Sequence, residues 1–240
     1  MTDLTAALQA VSAVVDAKRN QPILGCVLLH KRGSEVKLTA ADTTIQVSKK
    51  LDVDVRGGDI HAAVPVRKLL DVLQVLDTQH LSIDERQGKL HVRGASSRFT
   101  IQTMPAADFP LVSTNIPFGS VISVEQDSLR GLLERVSFAM AVAGDMRTQL
   151  CGVHLRIEGR RLQLAACDGH RLALADAKIC TEVPRQEVIL PRKTVELLLR
   201  LFRADRRDGR GRVQLRLAAA QAEFSFNETT VLSQLVTCND

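Results

Sequence analysis

A chain of 240 residues, 45% hydrophobic and 25% charged, has ordinary globular composition and enough apolar material for one large or two ordinary domains. No apolar run approaches the ~20 residues that cross a bilayer, the first segment reads as an amphipathic helix and not a secretory signal, and five cysteines without a CxxC (26, 151, 167, 180, 238) fit free thiols in a reducing cytoplasm. The net charge of +5 leans mildly toward polyanions, while zero Trp, zero Tyr and seven Phe leave no stacking platform for single strands, so any nucleic-acid contact would go to phosphates.

Asp3 is placed to cap a first helix with an apolar face of Leu4, Ala7, Leu8, Val11, Val14 and Val15. Lys18-Arg19-Asn20-Gln21-Pro22 breaks it. Strands are predicted over 23–29, 36–41 and 45–55, the last alternating at Ile45, Val47, Leu51, Val53 and Val55. Gly57-Gly58 turns the chain, and residues 62–64 lead into Val64-Pro65-Val66-Arg67-Lys68-Leu69-Leu70. Pro65 is read as opening a helix, since its missing N–H would go unused there. Two cations follow, then the stripe Leu69, Val72, Leu73, Leu76. Short strands over 81–84, 89–93 and 98–104 precede residues 105–110, which with Pro117 and Gly119 read as a linker.

The second half repeats the programme. A strand over 121–125 leads to Asp127 or Ser128 as cap and to a helix face of Leu129, Leu132, Leu133, Val136 and Met140, which matches the first helix at an offset of 125. Residues 149–155 and 164–168 align with 23–29 and 38–42 at an offset of 126. Leu190-Pro191-Arg192-Lys193-Thr194-Val195 echoes the Pro65 segment at the same offset, with the stripe Val195, Leu198, Leu199, Phe202, and strands over 213–217, 223–226 and 231–236 close the copy. Four blocks holding an offset within one residue imply two tandem homologous domains, 1–117 and 118–240. Each is α+β, with two helices on one face of antiparallel sheets and roughly eight short strands. The second copy has a strand before its first helix that the first copy lacks, and the chain reads as clipped at both ends.

A cation near a helix N-terminus costs a few tenths of a kcal/mol, roughly, against the macrodipole. Two such pairs, at Arg67-Lys68 and Arg192-Lys193, suggest charges that face something negative; either pair alone reads first as a solvated helix end. Asp168-Gly169-His170-Arg171 offers titratable groups but no GxSxG-type nucleophile accompanies it. It reads as a turn, Asp168 mirroring Asp42, or as a docking site. The six histidines are scattered and lack metal-ligand spacing to the cysteines, so neither metal nor cofactor is expected. The basic run 203–212 is a solvated loop or an anion contact, and Cys167 is a small buried residue.

Pro22-Ile23-Leu24-Gly25, Val64 to Lys68, Met104-Pro105-Ala106-Ala107-Asp108-Phe109-Pro110, Cys167-Asp168-Gly169-His170-Arg171-Leu172-Ala173 and Leu190 to Lys193 together resemble the bacterial sliding clamp, the β subunit of DNA polymerase III, in family order over essentially the whole chain. The resemblance implies DNA-clamp domains, helices lining a hole through which double-stranded DNA threads, and strands in a continuous outer sheet. It implies a processivity factor that is no enzyme and has no membrane role. The replicative polymerase, the clamp loader and repair polymerases would dock through short peptide motifs. DNA contact is carried onto Lys18 and Arg67, then Arg19, Arg147 and Arg192. Thr148-Gln149 stands where relatives usually show an aromatic pair after the arginine, and Gly144 where they show glutamine. The partner-peptide pocket is carried onto Leu150, Cys167, Gly169, His170, Arg171 and Leu172, with Cys167 in place of the usual threonine. Arg98, Phe99 and Ile101 correspond to the family's subunit edge, although Phe99 and Ile101 are as readily core. Family members have a third domain, absent here. Three two-domain chains would supply six domains, so self-association into a ring as a homotrimer fits the arithmetic. The alternative is a truncated, non-encircling fragment acting as a peptide-binding or clamp-capping module.

Overall fold

The computed structural model describes residues 3–15, 21–53, 55–76, 81–112, 116–204 and 211–236. The chain divides into two compact units, Met1–Val112 with Glu228–Thr230, and Ser113–Asn227 with Val231–Asp240. Both are α+β, with antiparallel strands and two α-helices each.

In the first unit, α1 (Asp3–Val11) precedes β1 (Cys26–Arg32), β2 (Glu35–Ala41), β3 (Ile45–Asp52) and β4 (Ile60–Pro65). Then come α2 (Val66–Val75), β5 (Ser82–Arg86), β6 (Lys89–Arg93), β7 (Arg98–Gln102) and β8 (Met104–Pro105). The strands run β8-β4-β1-β2-β3 in one sheet and β5-β6-β7 in another. The helical stripes bury as their spacing requires: Leu4, Leu8 and Val11 from α1, Leu69 and Leu73 from α2. Leu4, Leu8 and Leu69 meet Leu29, Val36, Leu38 and Ile60 of the larger sheet, and Ile83 of the smaller, around one small internal void. Lys31 reaches the same core, and its buried ammonium donates to the carbonyls of Gly57 (2.8 Å) and Gly58 (3.2 Å). Those acceptors answer the desolvation of the charge.

Segment 105–110 is not a loose linker. After β8 it makes a short 3₁₀ turn, Ala106–Asp108, and buries Phe109 against Cys26, Leu28, Ala41 and Ala63. A large aromatic side chain removed from water outweighs the turn-forming prolines around it.

The second unit runs β9 (Ile122–Glu125), α3 (Gln126–Ser137), β10 (Gly152–Cys167), β11 (Leu172–Pro191), α4 (Arg192–Ala204), β12 (Arg212–Leu217), β13 (Gln221–Phe226) and β14 (Thr229–Gln234). Here β9 pairs with β12, β12 with β13 and β13 with β14, while β10 and β11 pair along their length. Between α3 and α4 the expected short strands are therefore replaced by two long ones, while β9, β12, β13 and β14 remain short. β10 is interrupted only at Gly159, whose φ of +58° repeats that of Gly33 (+59°) 126 residues earlier.

The duplication extends to cross-strand register. Cys26 faces Pro65 and Val27 faces Val64 in the first unit; Gly152 faces Pro191 and Val153 faces Leu190 in the second. β1 and β10 are each preceded by a 3₁₀ turn, Pro22–Gly25 and Thr148–Leu150. Both turns overlap the starts of the segments 23–29 and 149–155, the first of them read as strand, because residues 22–25 and 148–150 make i→i+3 bonds before the chain extends. Helix starts also shift slightly. Pro65 is the residue before α2, not its first turn. Asp3 lies in the first turn of α1. α3 begins at Gln126, so Asp127 and Ser128 are in its first turn and not at the cap.

Candidate nucleic-acid interface and partner pocket

Arg67 and Lys68 are exposed in the first turn of α2. Among the described residues neither makes an ion pair or hydrogen bond. They line a groove with Ser12, Val15, Gln21 and Pro22. Lys18 and Arg19 lie outside the described residues; Val15 and Gln21, on either side of that segment, both belong to the groove wall. Two unneutralised cations at a helix start suit an anion that bridges side chain and dipole.

Arg192 behaves differently. The 126-residue offset places it opposite Val66, not Arg67, so the two basic pairs are out of step by one residue. Its guanidinium turns inward: Nη2 donates to Met140 O (2.9 Å) and Ala141 O (2.7 Å), Nε donates to Ala141 O (3.2 Å), and Nη1 donates to Glu196 (3.1 Å). It closes the loop after α3 onto the start of α4. Of the basic run 203–212, residues 205–210 lie outside the described residues; Arg203 pairs with Glu134 at 3.1 Å.

Arg147 is likewise committed. Its Nη2 donates to Asp145 Oδ2 (2.9 Å), and its Nε (3.1 Å) and backbone N–H (2.8 Å) donate to Oδ1. The Arg147 side-chain bonds, seconded by its backbone N–H, hold the Asp145 carboxyl at about 2. Nη2 also reaches Asp168 O (3.4 Å), and a Cβ on Gly169 would stand 2.8 Å from Nη1. Arg147 thus lies across the 168–169 turn.

That turn joins the predicted pocket residues. Asp168 Oδ1 accepts the N–H groups of His170 and Arg171 at 3.0 Å each, and Oδ2 accepts Arg171 Nε at 2.8 Å. The backbone N–H of His170 is foremost, then that of Arg171, in lowering the Asp168 pKa. Asp42 does the same for Thr44 (2.6 Å) and Ile45 (2.8 Å), the residues 126 earlier. The aspartate-anchored turn is therefore a shared structural device, with Gly169 standing where the first unit has Thr43, and its exposed face is what differs between the units. Gly169 donates to Cys167 Sγ (3.3 Å), and Cys167 is only partly buried. Arg171 lies over the Phe138 ring, 5.6 Å from its centre. Leu150 bonds backbone to backbone with Ala141 (2.9 Å). Around this turn Phe138, Val142, Met146, Leu172 and Leu174 keep large apolar side chains exposed. The structure thus joins Cys167, Gly169, His170, Arg171 and Leu172 directly, and Leu150 through the 141–151 loop. Sequence reasoning missed Phe138 and Asp145. The Asp-x-Arg spacing hinted at Asp145; nothing in the sequence marked Phe138.

At the third candidate surface, β7 pairs with β6 and carries no second strand partner among the described residues. Arg98 is exposed, Phe99 half-buried and Ile101 buried, so side chains alternate inward while the backbone edge stays open.

Two tandem α+β repeats make up the chain, with a cationic groove on one and an apolar-rimmed turn on the other. Residues 1–113 match the N-terminal domain, and residues 123–239 the central domain, of the DNA polymerase III beta subunit. The chain belongs to that family. It is 36% identical over 233 residues to the beta sliding clamp of Pseudomonas putida, covering 95% of this chain and 61% of that protein, and 31% identical over 231 residues to that of Escherichia coli K12, covering 93% and 61%. It therefore spans about three fifths of the length of these relatives. A crystal structure of the Pseudomonas aeruginosa DNA polymerase III subunit beta superposes with a TM-score of 0.88 at 34% identity, covering 98% of this chain and 63% of the other. The Caulobacter crescentus beta sliding clamp gives 0.87 at 26% identity, covering 99% and 63%.

Proposed function

We propose that this chain works as a DNA sliding clamp in replication: it surrounds duplex DNA, contacts phosphates without reading bases, tethers the replicative polymerase and catalyses nothing itself. The observation that carries the reading is the open pair Arg67 and Lys68 in the groove of the first unit. A body that slides needs weak, sequence-blind backbone contacts, and cations without an internal partner are the ones free to make them. Lys18 and Arg19 join the contact by their place in the chain. Arg147 and Arg192 are assigned support roles, since their donors are occupied. Clamp loader and polymerases would dock short apolar peptides against Leu150, Cys167, Gly169, His170, Arg171 and Leu172. The open edge of β7, with Arg98, Phe99 and Ile101, is the proposed site of self-association, and three two-unit chains would provide six units for a ring.

The test is duplex-DNA affinity against salt. Each phosphate contact contributes about 0.9 to the log–log slope, so replacing Arg67 and Lys68 by Glu should lower the slope by about 2. An unchanged slope removes the proposed contact. The second reading, a non-encircling peptide-binding or clamp-capping module, is favoured by the exposed apolar rim at Phe138, Val142 and Leu172. It requires peptide binding that persists in a monomer at tens of micromolar, roughly the range of weak docking contacts; mass measurement in solution over several concentrations separates the two readings.

A further inference from the structure

Two of the six scattered histidines meet in the fold. β1 and β4 pair antiparallel with His30 directly opposite His61, both side chains exposed. The ring centres are 5.1 Å apart and the planes are tilted by 39°. Among the described residues neither ring makes a hydrogen bond or ion pair, so their nitrogens are uncommitted. Facing positions on antiparallel strands hold their Cβ atoms at a separation that the strand ladder fixes. The backbone, not a flexible loop, therefore sets the distance between the rings.

We propose that His30 and His61 form a two-histidine clip for a borderline divalent transition metal, such as Zn²⁺ or Cu²⁺, with water completing the coordination. The geometry carries it. A metal about 2.0–2.1 Å from each ligating nitrogen lies about 3.2 Å from each ring centre, and a tetrahedral N–metal–N angle then sets the centres about 5 Å apart. The observed spacing meets that value without moving either strand; rotation about the ring torsions aims the nitrogens. No group of three or more metal-ligating side chains occurs among the described residues, so the site is bidentate, open and of modest affinity. Imidazole donors select zinc, copper and nickel over magnesium and calcium. The bound ion would tie β1 to β4 on the sheet face opposite the helices, beyond the apolar cluster around Phe109. This places it away from the Arg67 groove and independent of DNA binding.

The experiment titrates the full chain, and its His30→Gln and His61→Gln variants, with zinc chloride and separately with magnesium chloride by calorimetry, and follows thermal unfolding by far-UV circular dichroism. Both positions are exposed, so the variants should fold; identical metal-free melting checks this. The expected result is one zinc per chain for the parent, a zinc-dependent rise in melting temperature, loss of both in each variant, and no heat with magnesium. Zinc binding that persists in both variants, or is lost in only one, overturns the clip, because a cysteine site would survive both substitutions and a single-histidine site would survive one. Equal binding of magnesium also overturns it.

Discussion

Arg192 separates a structural cation from a DNA-facing one. Its guanidinium makes three hydrogen bonds to two backbone carbonyls, Met140 O and Ala141 O, at 2.7–3.2 Å, and the side chain is about a quarter exposed (27%). Arg192→Ala leaves both carbonyls without that donor. Hydrogen bonds from a charged group contribute about 1.5–3 kcal/mol, and leaving a buried acceptor unmet costs about 1–3 kcal/mol. The two figures overlap, so the expected loss is about 2–3 kcal/mol in the second unit. The exposed Glu196 pair adds little. Arg67→Ala, at a solvated position, should stay within about 0.5 kcal/mol of the parent. Without Trp or Tyr, urea unfolding is best followed by far-UV circular dichroism. Arg192→Lys should recover only part of the loss, because a point charge cannot reproduce the fork. If Arg192→Ala unfolds with the parent while lowering the salt slope of DNA binding, Arg192 is a DNA contact and the assignment is wrong.

Asp145 should titrate at about 2 in the folded chain. A carboxyl depressed in the folded state contributes stability that is complete above its unfolded value and is lost as pH falls through the folded one. The Arg147 brace should therefore loosen between about pH 4 and pH 2, and a carboxylate carbon-13 midpoint near the ordinary aspartate value would refute the brace. Gly169→Ala meets Arg147 Nη1 at 2.8 Å with φ at +93°; it should cost about 1–3 kcal/mol and weaken peptide docking, as fluorescence anisotropy of a labelled clamp-binding peptide would read. Phe109→Ala should cost about 3–5 kcal/mol; a loss under about 1 kcal/mol in urea unfolding would return residues 105–110 to linker status.

The duplication was legible because hydrophobic spacing, the strand-to-aspartate blocks and the Pro-basic segments recur at an offset of 125 to 126 residues, and the cross-strand registers Cys26–Pro65 and Gly152–Pro191 repeat it in space. Burial of the helical stripes followed from period alone. The roles of the basic residues did not, since a cation's availability depends on what its donors meet. Arg192 and Arg67 share a sequence context, yet Val66 occupies the matching position, and the loop after α3 brings two carbonyls to Arg192. Phe138, Asp145 and the His30–His61 pair needed tertiary contacts or strand register that no local pattern encodes. Segment 105–110 misled because prolines mark turns equally well inside a core.

Retention on DNA of different topology tests encirclement most directly. The chain is assembled on closed circular duplex, freed of unbound protein by gel filtration in moderate salt, and the circle is then cut once. A topological clamp stays on the circle and runs off the linear product. Equal retention before and after cutting, or equal loss, would contradict encirclement and leave a surface-bound module.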